Sequence, residues 1–339
     1  MTAAPAEPGA LMAAEVAEAP AVFARAAAAD HAAALAALAP ATWRAIYTVA
    51  RGSSDAAAGI LAYEAMRETG LPVTSLPPSV FSLGAGVALG GAAVLMVSQS
   101  GASDDLVRSA RGARARGARV VALTNVPGSP VEAAAELTLP IAAGPERAVP
   151  ATKTVVGAIG AGMALIAALA PAYAPRARAD AAALAALAPL RHPREAALVA
   201  ALRDARHVYI IGRDTGFGAA QEIALKLKET CALHAEAYSA SEVLHGPLQL
   251  ATEPLLALML DTGQPGLRPS LDLAGSRLAA AGATVLRLGP ADVSAPALTP
   301  AGAAAALLCL LYPVVGAAAR ARGHNPDAPA TLSKVTQTT

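Results

Sequence analysis

Short apolar stretches that alternate with helical stretches constrain the fold of this chain more than any other feature. AAVLMV at 92–97 and RVVALT at 119–124 have the continuous apolar character of strands that are buried on both faces. Between them lie a polar turn and a segment with helical periodicity at 104–116. Strands alternating with helices are typical of βαβ units, so we predict an α/β fold with a doubly wound parallel sheet.

The same pattern restarts in the second half of the chain. YTVAR at 47–51 and YIIGR at 209–213 each precede a small polar turn and a helix that ends in Glu-Thr. These shared positions favour duplication over a chance likeness between two strand-turn-helix units. The stretches that we predict as strands lie at 43–50, 74–76, 92–97, 119–124, 137–141, 207–212, 255–260 and 284–288.

A segment rich in Ala, Pro and Arg, at 171–194, separates the two halves. Segments of this composition commonly join domains. At roughly 100–200 residues per domain, a chain of 339 residues has room for two. We therefore predict four segments in order: a disordered leader at 1–11, a first domain at 12–175, a linker helix region at 176–195 and a second domain at 196–339.

Charge and cysteine usage exclude several classes of protein. The formal net charge is +1 and there is no basic helix-turn-helix segment, so we expect no nucleic-acid partner. Cys231 and Cys309 lie far apart and outside any CxxC pair, which is typical of buried, reduced thiols. No Lys or Arg precedes Arg25, which argues against a secretory signal, so we expect a cytoplasmic protein. The apolar stretches at 154–170 and 296–319 are predicted as buried helices and not as membrane spans.

The polar turn SQSGAS at 98–103 is the first candidate for a binding site. It follows a strand and opens a helix, and ligands of open α/β sheets bind beyond the carboxyl ends of the strands. Its hydroxyls and backbone N–H groups at the positive end of that helix suit a phosphate dianion. No lysine accompanies the turn, which favours a sugar phosphate over a nucleoside triphosphate. The alternative is an ordinary helix N-cap by Ser103. The equivalent turn at 261–266 carries Asp261 and lacks the serines, so we predict one phosphate site per chain.

Glu222, Lys226 and Glu229 are spaced four and three residues apart, so they share one face of a predicted helix. A carboxylate beside an ammonium acts as a proton carrier in a cleft, whereas on a solvated helix the same residues form a surface ion pair. The sequence leaves both interpretations open. His234 and His245 follow among several carboxylates, but their spacing matches no metal-ligand pattern, so we expect no metal.

Five groups of residues occur in the order in which a known family carries them. They are MAAEVAEAP at 12–20, SQSG at 98–101, AGPE at 143–146 with Val149 and ATK at 151–153, ALKLKE at 224–229 with HAEAY at 234–238 and EVLHGPL at 242–248, and NPD at 325–327 with Pro329 and LSK at 332–334. Together they resemble the sugar isomerase (SIS) family, and within it the isomerase half of glutamine–fructose-6-phosphate amidotransferase, also called glucosamine-6-phosphate synthase. The resemblance implies two tandem SIS domains, each a doubly wound parallel sheet flanked by helices.

The resemblance also implies roles for individual residues. Glu229 would shuttle a proton between C1 and C2 of the sugar, and Lys226 would assist it. His245 would reach into the site of a partner subunit and open the sugar ring, which implies a homodimer with a shared active site. Lys334 would form an imine with the open-chain ketose. The phosphate would be held by Ser54, Ser98, Gln99, Ser100 and Ser103, with backbone contacts from Val149 and Ser333.

Several positions depart from the synthase pattern. Arg51 stands where the synthase has Cys, and Ala330 and Thr331 stand where it has Arg-Asn. The single tryptophan, Trp43, lies in the first predicted strand and is no counterpart of the tryptophan that gates the synthase's ammonia channel. The sequence begins without a glutaminase domain, so we expect that it does not release ammonia from glutamine.

These departures make stand-alone type II glucosamine-6-phosphate deaminase the closer resemblance. The leading hypothesis is therefore an enzyme that converts glucosamine 6-phosphate to fructose 6-phosphate and ammonia without a cofactor. An aldose–ketose sugar-phosphate isomerase and a deglycase for ketose-amine phosphates remain open as alternatives. A non-catalytic sugar-phosphate-sensing module is a third, but it predicts loss of Glu229, His245 and Lys334, which are all present.

Overall fold

The computed structural model describes residues 7–289, 292 and 295–334, and within them the strands form two parallel sheets. The first sheet consists of β1 (Ala45–Val49), β2 (Val73–Ser75), β3 (Ala92–Ser98), β4 (Arg119–Thr124) and β5 (Leu137–Pro140), in the order β2-β1-β3-β4-β5. The second sheet consists of β6 (His207–Gly212), β7 (His234–Ser239), β8 (Leu256–Leu260) and β9 (Thr284–Leu288), in the order β7-β6-β8-β9.

The strands alternate with helices along the described part of the chain. The first half and the linker contain α1 (Ala10–Ala27), α2 (Ala32–Ala36), α3 (Gly52–Thr69), α4 (Ser79–Ser82), α5 (Asp104–Ala115), α6 (Pro130–Ala134), α7 (Lys153–Leu169) and α8 (Ala174–Leu187). The second half contains α9 (Glu195–Asp204), α10 (Thr215–Cys231), α11 (Arg268–Ala281) and α12 (Pro300–Ala321). The predicted α/β class is therefore confirmed.

Helices cover both faces of the first sheet. As a result, every residue of its central strand β3 is buried. Leu95 and Val97 point into a core that they share with α1, α3 and α7. Val94 and Met96 point into a separate core with α4, α5 and α6. This arrangement is the doubly wound sheet that the apolar runs predicted.

The second sheet is also covered on both faces, and one of its cores is continuous with the first half. Ile210 and Leu258 face α10 and α12 and belong to the same apolar cluster as α1, α3 and α7. Tyr209 and Met259 face a smaller cluster with α11. The two halves therefore share a core. Apolar contacts cross the predicted domain boundaries at 175 and 196, so these boundaries remain a prediction.

Three details of the fold differ from the sequence-based expectations. Strand β7 was not predicted, because it is an edge strand whose half-exposed residues HAEAYS resemble a polar loop. The helical pattern of the sequence predicts a helix at Ala219–Cys231, but α10 begins four residues earlier, at Thr215. There the Asp214 carboxylate accepts a hydrogen bond from the Thr215 N–H at 2.8 Å. A proline inside a helical pattern predicts a kink or a boundary at Pro20, but α1 continues through it.

The predicted disordered leader at 1–11 extends too far, because its last two residues belong to the first helix. Residues 1–6 lie outside the described residues, but α1 already begins at Ala10. Its start is fixed by the tail, since the Asp327 carboxylate accepts hydrogen bonds from the N–H groups of Gly9 at 3.0 Å and Met12 at 2.8 Å. Carboxylates at a helix N-terminus satisfy its unpaired N–H groups. The tail at 325–327 therefore orders the residues that enter α1.

The two apolar stretches of the sequence form the helices α7 and α12. Within the described residues, α12 alone is long and apolar enough to cross a membrane, and 89% of its most apolar window is buried inside the protein. Residues Lys153–Ile166 of α7 are all buried. Both helices pack in the shared core, as predicted for buried helices.

Candidate active site

A cleft of about 330 Å³ opens where the carboxyl ends of β1 and β3 meet α10 and the C-terminal tail. Of the eleven residues predicted for the site, ten line this cleft. They are Ser54, Ser98, Gln99, Ser100 and Ser103 from the strand ends of the first sheet, Val149 from the loop before α7, Lys226 and Glu229 from α10, and Ser333 and Lys334 from the tail. The structure thus brings both halves of the chain and the tail to one place.

The turn between β3 and α5 is held in a tight, N–H-rich conformation. Gly101 has φ of 60°, and its N–H donates to the Ser98 hydroxyl oxygen at 3.0 Å. Ser103 is the N-cap residue of α5, but its side chain makes no capping hydrogen bond. The alternative of an ordinary N-cap by Ser103 is therefore wrong, and Ser103 is among the residues that line the cleft. Hydroxyls and backbone N–H groups at a helix N-terminus provide the donors that an anion needs.

A second helix N-terminus meets the first at this edge of the sheet. Strands β1 and β3 are neighbours, and their register pairs Val49 with Met96. Helix α3 therefore begins at Gly52 beside the turn that opens α5. Arg51 and Ser53, which were not predicted as site residues, join Ser54 in the cleft lining for this reason. Their position in the polar turn directly after the first predicted strand was the signal available in the sequence.

The charged residues of α10 form a buried cluster. The side chain of Lys226 is 1% exposed and donates to Glu229, and its ammonium lies 3.8 Å from the Glu222 carboxylate. Burial lowers the pKa of Lys226, but Glu222 and Glu229 outweigh it and hold this pKa above its ordinary value. The alternative of a surface ion pair on a solvated helix is therefore wrong.

Glu222 and Glu229 differ in their environment within this cluster. Glu222 is fully buried and accepts a hydrogen bond from the Tyr312 hydroxyl of α12 at 3.0 Å. Burial raises the pKa of Glu222 to about 7, although the ammonium of Lys226 opposes the shift. The side chain of Glu229 is 23% exposed and faces the cleft. Glu229 is thus the carboxylate of the pair that a ligand in the cleft can reach.

Helix α1 fixes the loop at 143–153, which forms one wall of the cleft. The Glu15 carboxylate accepts from the N–H groups of Arg147 and Ala148, and Lys153 donates to Glu18 at 2.7 Å. These contacts explain why the two carboxylates of α1 are spaced by one helical turn: they face the same loop. The loop in turn carries Val149 into the cleft lining.

The C-terminal tail is attached to that same loop. Lys334 donates to the Glu146 carboxylate at 2.9 Å and to the Ala148 carbonyl at 2.8 Å. The N–H of Val149 donates to the Asp327 carbonyl at 2.8 Å, so the backbone group that Val149 has left for a ligand is its carbonyl. Lys334 therefore lines the cleft as part of an ion pair and not as an isolated amine.

His245 is the predicted site residue that the structure does not bring to the cleft. It follows a 3₁₀ turn at Glu242–Leu244 and is exposed to solvent. The structure therefore does not place His245 beside the other predicted site residues of its own chain. Within the described residues, no group of three or more His, Cys, Asp or Glu side chains is arranged to hold a metal ion. Cys231 and Cys309 are buried free thiols whose pKa values are raised by burial.

Comparison with known proteins identifies related chains. Glutamine–fructose-6-phosphate aminotransferase from Aeropyrum pernix is 32% identical over 301 residues, which cover 78% of this chain and 46% of that protein. This chain thus spans about half the length of that relative. A structure described as a putative phosphosugar isomerase from Silicibacter pomeroyi superimposes with a TM-score of 0.81 and 34% identity, covering 94% of this chain and 99% of the other.

The fold is also that of glucosamine-6-phosphate deaminase from Thermotoga maritima, with a TM-score of 0.77, 19% identity and coverage of 97% of this chain and 100% of the other. The SIS domain family matches residues 41–168 and 201–288, one segment in each half of the chain. These segments contain the strand ends that form the cleft and the α10 cluster. With a match in each half and over more than half of its length, the chain belongs to the SIS domain family.

Proposed function

We propose that this chain is a cytoplasmic glucosamine-6-phosphate deaminase that converts glucosamine 6-phosphate to fructose 6-phosphate and ammonia. One observation carries the proposal: the serine hydroxyls at two helix N-termini share a cleft with the Glu229–Lys226 pair and with Lys334. The serine hydroxyls at the helix N-termini suit a phosphate. The Glu229–Lys226 pair suits proton transfer at the other end of an open-chain sugar. A phosphate held at one end would fix C1 and C2 relative to Glu229.

The proposed chemistry is a proton transfer followed by hydrolysis. In the open-chain aldose, Glu229 removes the proton from C2 and delivers it to C1, while a proton passes from the C2 amine to O1. The product has a hydroxyl at C1 and an imine at C2. Water adds to this imine, ammonia leaves, and the C2 carbonyl of fructose 6-phosphate remains. Lys226 fixes the Glu229 carboxylate by a hydrogen bond from the buried side of the cleft.

The remaining roles involve the tail and a second subunit. His245 would open the sugar ring in the cleft of its partner in a homodimer, since it is exposed and outside the cleft of its own chain. Lys334 would form an imine with the C2 carbonyl of the ketose, with loss of water. For this it must leave its ion pair with Glu146 and give up a proton. The serines at 98, 100 and 103 with Ser54 and Gln99 would hold the phosphate, and Val149 and Ser333 would add backbone contacts.

An aldose–ketose sugar-phosphate isomerase is the second candidate. The description of the Silicibacter pomeroyi relative, at 34% identity, as a putative phosphosugar isomerase favours it. Isomerisation uses the same proton transfer between C1 and C2, but on a substrate with a hydroxyl in place of the amine at C2. A deglycase for ketose-amine phosphates would use the same cleft. A purely sensing module has no need of the buried Lys226 that supports Glu229.

The deciding experiment supplies the purified chain with glucosamine 6-phosphate and measures ammonia and fructose 6-phosphate. We expect both products in equal amounts, with turnover lost in the Glu229→Gln variant, which keeps the shape of the side chain but cannot carry the proton. The same variant should still bind fructose 6-phosphate, because the phosphate contacts lie on other residues. Interconversion of glucose 6-phosphate and fructose 6-phosphate without any ammonia from the amino sugar would support the isomerase instead.

A further inference from the structure

Arg51 lies where the two helix N-termini of the cleft meet. It is the last residue before α3 and follows β1, whose Val49 pairs with Met96 of β3. Arg51 follows the end of β1 by two residues and Ser98 is the last residue of β3, so both stand at the carboxyl edge of the first sheet. Both line the cleft. A cationic side chain thus stands directly beside the serine-rich turn.

A buried carboxylate holds the Arg51 side chain in place. The Nε of Arg51 donates to Asp105 at 3.0 Å, and Asp105, in the first turn of α5, is 0% exposed while the arginine side chain is 49% exposed. The other carboxylate oxygen of Asp105 accepts from the N–H of Leu106 at 2.9 Å. One edge of the guanidinium is therefore fixed. Within the described residues, no hydrogen bond occupies its two terminal nitrogens.

The other two cations of the cleft lining are already paired. Lys226 is buried between Glu222 and Glu229, and Lys334 donates to Glu146 and to a backbone carbonyl. Among the described residues that line the cleft, Arg51 is the cation whose side chain is exposed and whose terminal N–H groups are still available to a ligand. The planar fork of a guanidinium matches two oxygens of a phosphate, which a lysine ammonium does not.

We propose that Arg51 binds the phosphate of the substrate through its terminal nitrogens and that Asp105 is the residue that positions it. This inference rests on the proposed function in one respect, that the cleft holds a phosphate ester. The guanidinium of Arg51 would add an ionic contact to a phosphate site that otherwise consists of hydroxyls, amides and helix N-termini. The chain should therefore select phosphate esters over the corresponding free sugars through Arg51.

The test measures binding of inorganic phosphate and of fructose 6-phosphate by calorimetry to wild-type protein and to Arg51→Met and Arg51→Lys variants. A charge-assisted hydrogen-bond pair is worth about tenfold to hundredfold in affinity, so Arg51→Met should raise both dissociation constants by about that factor. Arg51→Lys should lie between, because it restores the charge without the fork. In turnover, KM should rise by a similar factor while kcat changes by less than about threefold.

Two further variants separate binding from folding. Arg108→Ala removes an exposed arginine on the same helix as Asp105, at a position outside the cleft, and should leave both dissociation constants unchanged. Arg51→Met combined with Asp105→Asn removes the buried carboxylate that the single variant leaves unpaired. We expect this double variant to bind as weakly as Arg51→Met. Recovery of wild-type affinity in it would mean that the unpaired Asp105, and not the lost arginine, caused the defect, and would overturn the inference.

The remaining outcomes distinguish this inference from the proposed function. If the wild-type chain binds phosphate through Arg51 but releases no ammonia from glucosamine 6-phosphate, the inference stands and the deaminase proposal fails. Unchanged dissociation constants in Arg51→Met, in a chain that does deaminate, would overturn the inference alone. If the wild-type chain binds neither inorganic phosphate nor fructose 6-phosphate, both proposals fail.

Discussion

Glu64 is a carboxylate that the protein buries completely outside the cleft. It lies on α3 and accepts a hydrogen bond from Arg67 at 3.0 Å, while its second oxygen has no hydrogen-bond partner within the described residues. Burial raises the pKa of Glu64 to about 7, although the nearby Tyr173 hydroxyl and the charge of Arg67 oppose the shift. Arg67 also forms a bidentate pair with Asp214 of the second half. A charge at Glu64 is therefore costly in a region that joins the two halves.

The pH dependence of stability follows from this shift. The reference pKa of Glu64 is 4.5, so between pH 4.5 and about 7 the folded chain binds more protons at this site than the unfolded chain does. Stability must therefore fall as the pH rises through this window, and the loss is complete above it. Glu64→Gln removes the titrating group but keeps its shape. Relative to wild type, this variant should gain about 2–3 kcal/mol of unfolding free energy between pH 5 and pH 8.

Urea denaturation at pH 5 and pH 8 measures this difference. Glu253→Gln, which neutralises an exposed carboxylate, serves as the control and should show the same difference from wild type at both pH values. A Glu64→Gln effect that is independent of pH would contradict the assignment of the buried charge.

At the residue scale, the sequence predicts which side chains cooperate but not how deeply they are buried. The spacing of Glu222, Lys226 and Glu229 placed them on one helix face. It left open whether water or protein covers that face, because the cover includes Tyr312, about ninety residues further along the chain. Arg51 was not predicted as a site residue, because the residue that positions it is also distant in sequence. Asp105 comes close to Arg51 only through the pairing of β1 with β3.

At the scale of elements, the turn between β3 and α5 depends on one glycine. Gly101 has φ of 60°, and a Cβ added there would lie 2.2 Å from the Ser129 hydroxyl oxygen. Gly128 also has positive φ, of 72°, but a Cβ there would have nothing within 4 Å. The two positions share the backbone strain of a left-handed alanine and differ in the steric clash.

Gly101→Ala should therefore destabilise the chain more than Gly128→Ala does. The left-handed conformation costs an alanine about 1–2 kcal/mol at either position. The clash with Ser129 adds about 1–3 kcal/mol at 101 alone. Gly101→Ala should also weaken binding of inorganic phosphate, since the Gly101 N–H to Ser98 hydrogen bond belongs to the proposed phosphate turn. Thermal denaturation and calorimetry measure the two effects, and equal losses in both variants would show that the close approach to Ser129 is unimportant.

The accuracy of the predicted elements follows their burial. Strands β4, β6 and β9 have the predicted bounds, because buried parallel strands are continuous apolar runs between polar turns. Strand β7 was missed because an edge strand keeps polar residues on its exposed side. The start of α10 was placed too late because Gly216 and Gly218 are typical of a turn. Here, however, glycine is needed for close packing: a Cβ at Gly218 would lie 2.6 Å from the Ile60 side chain.

At the scale of the whole molecule, the contact of α3 with α10 sets the distance between the two parts of the cleft. Helix α3 starts beside the proposed phosphate turn, and α10 carries Lys226 and Glu229. The sequence predicted both halves but not this contact. A repeat specifies its own strands and helices, whereas the packing of one unit on the other depends on which small residues face each other. Gly218 is such a residue, since it permits α10 to approach the backbone of α3.

Substitution of Gly218 should therefore separate catalysis from phosphate binding. In Gly218→Ala, the added Cβ would lie 2.9 Å from the Ala56 carbonyl oxygen and 2.9 Å from the Ile60 nitrogen, which are backbone atoms of α3 that cannot rotate away. Helix α10 must then shift relative to α3 and carry Glu229 with it. A displacement of about 1 Å at a reacting group costs up to about a hundredfold in rate. We expect kcat to fall by about tenfold to a hundredfold, while the affinity for inorganic phosphate, bound by the first half, changes by less than about threefold.

Gly275→Ala is the matched control, because a Cβ on this helical glycine of α11 meets its nearest neighbour, Val285, at an ordinary 3.7 Å. Its kcat should equal that of the wild type. If Gly218→Ala lowered phosphate affinity as much as kcat, the two helix N-termini and α10 would move as one unit, and the division of labour between the halves would be wrong. If kcat were unchanged in a folded variant, the position of Glu229 would not depend on the contact of α3 with α10, and its proposed role as the proton carrier would lose its geometric support.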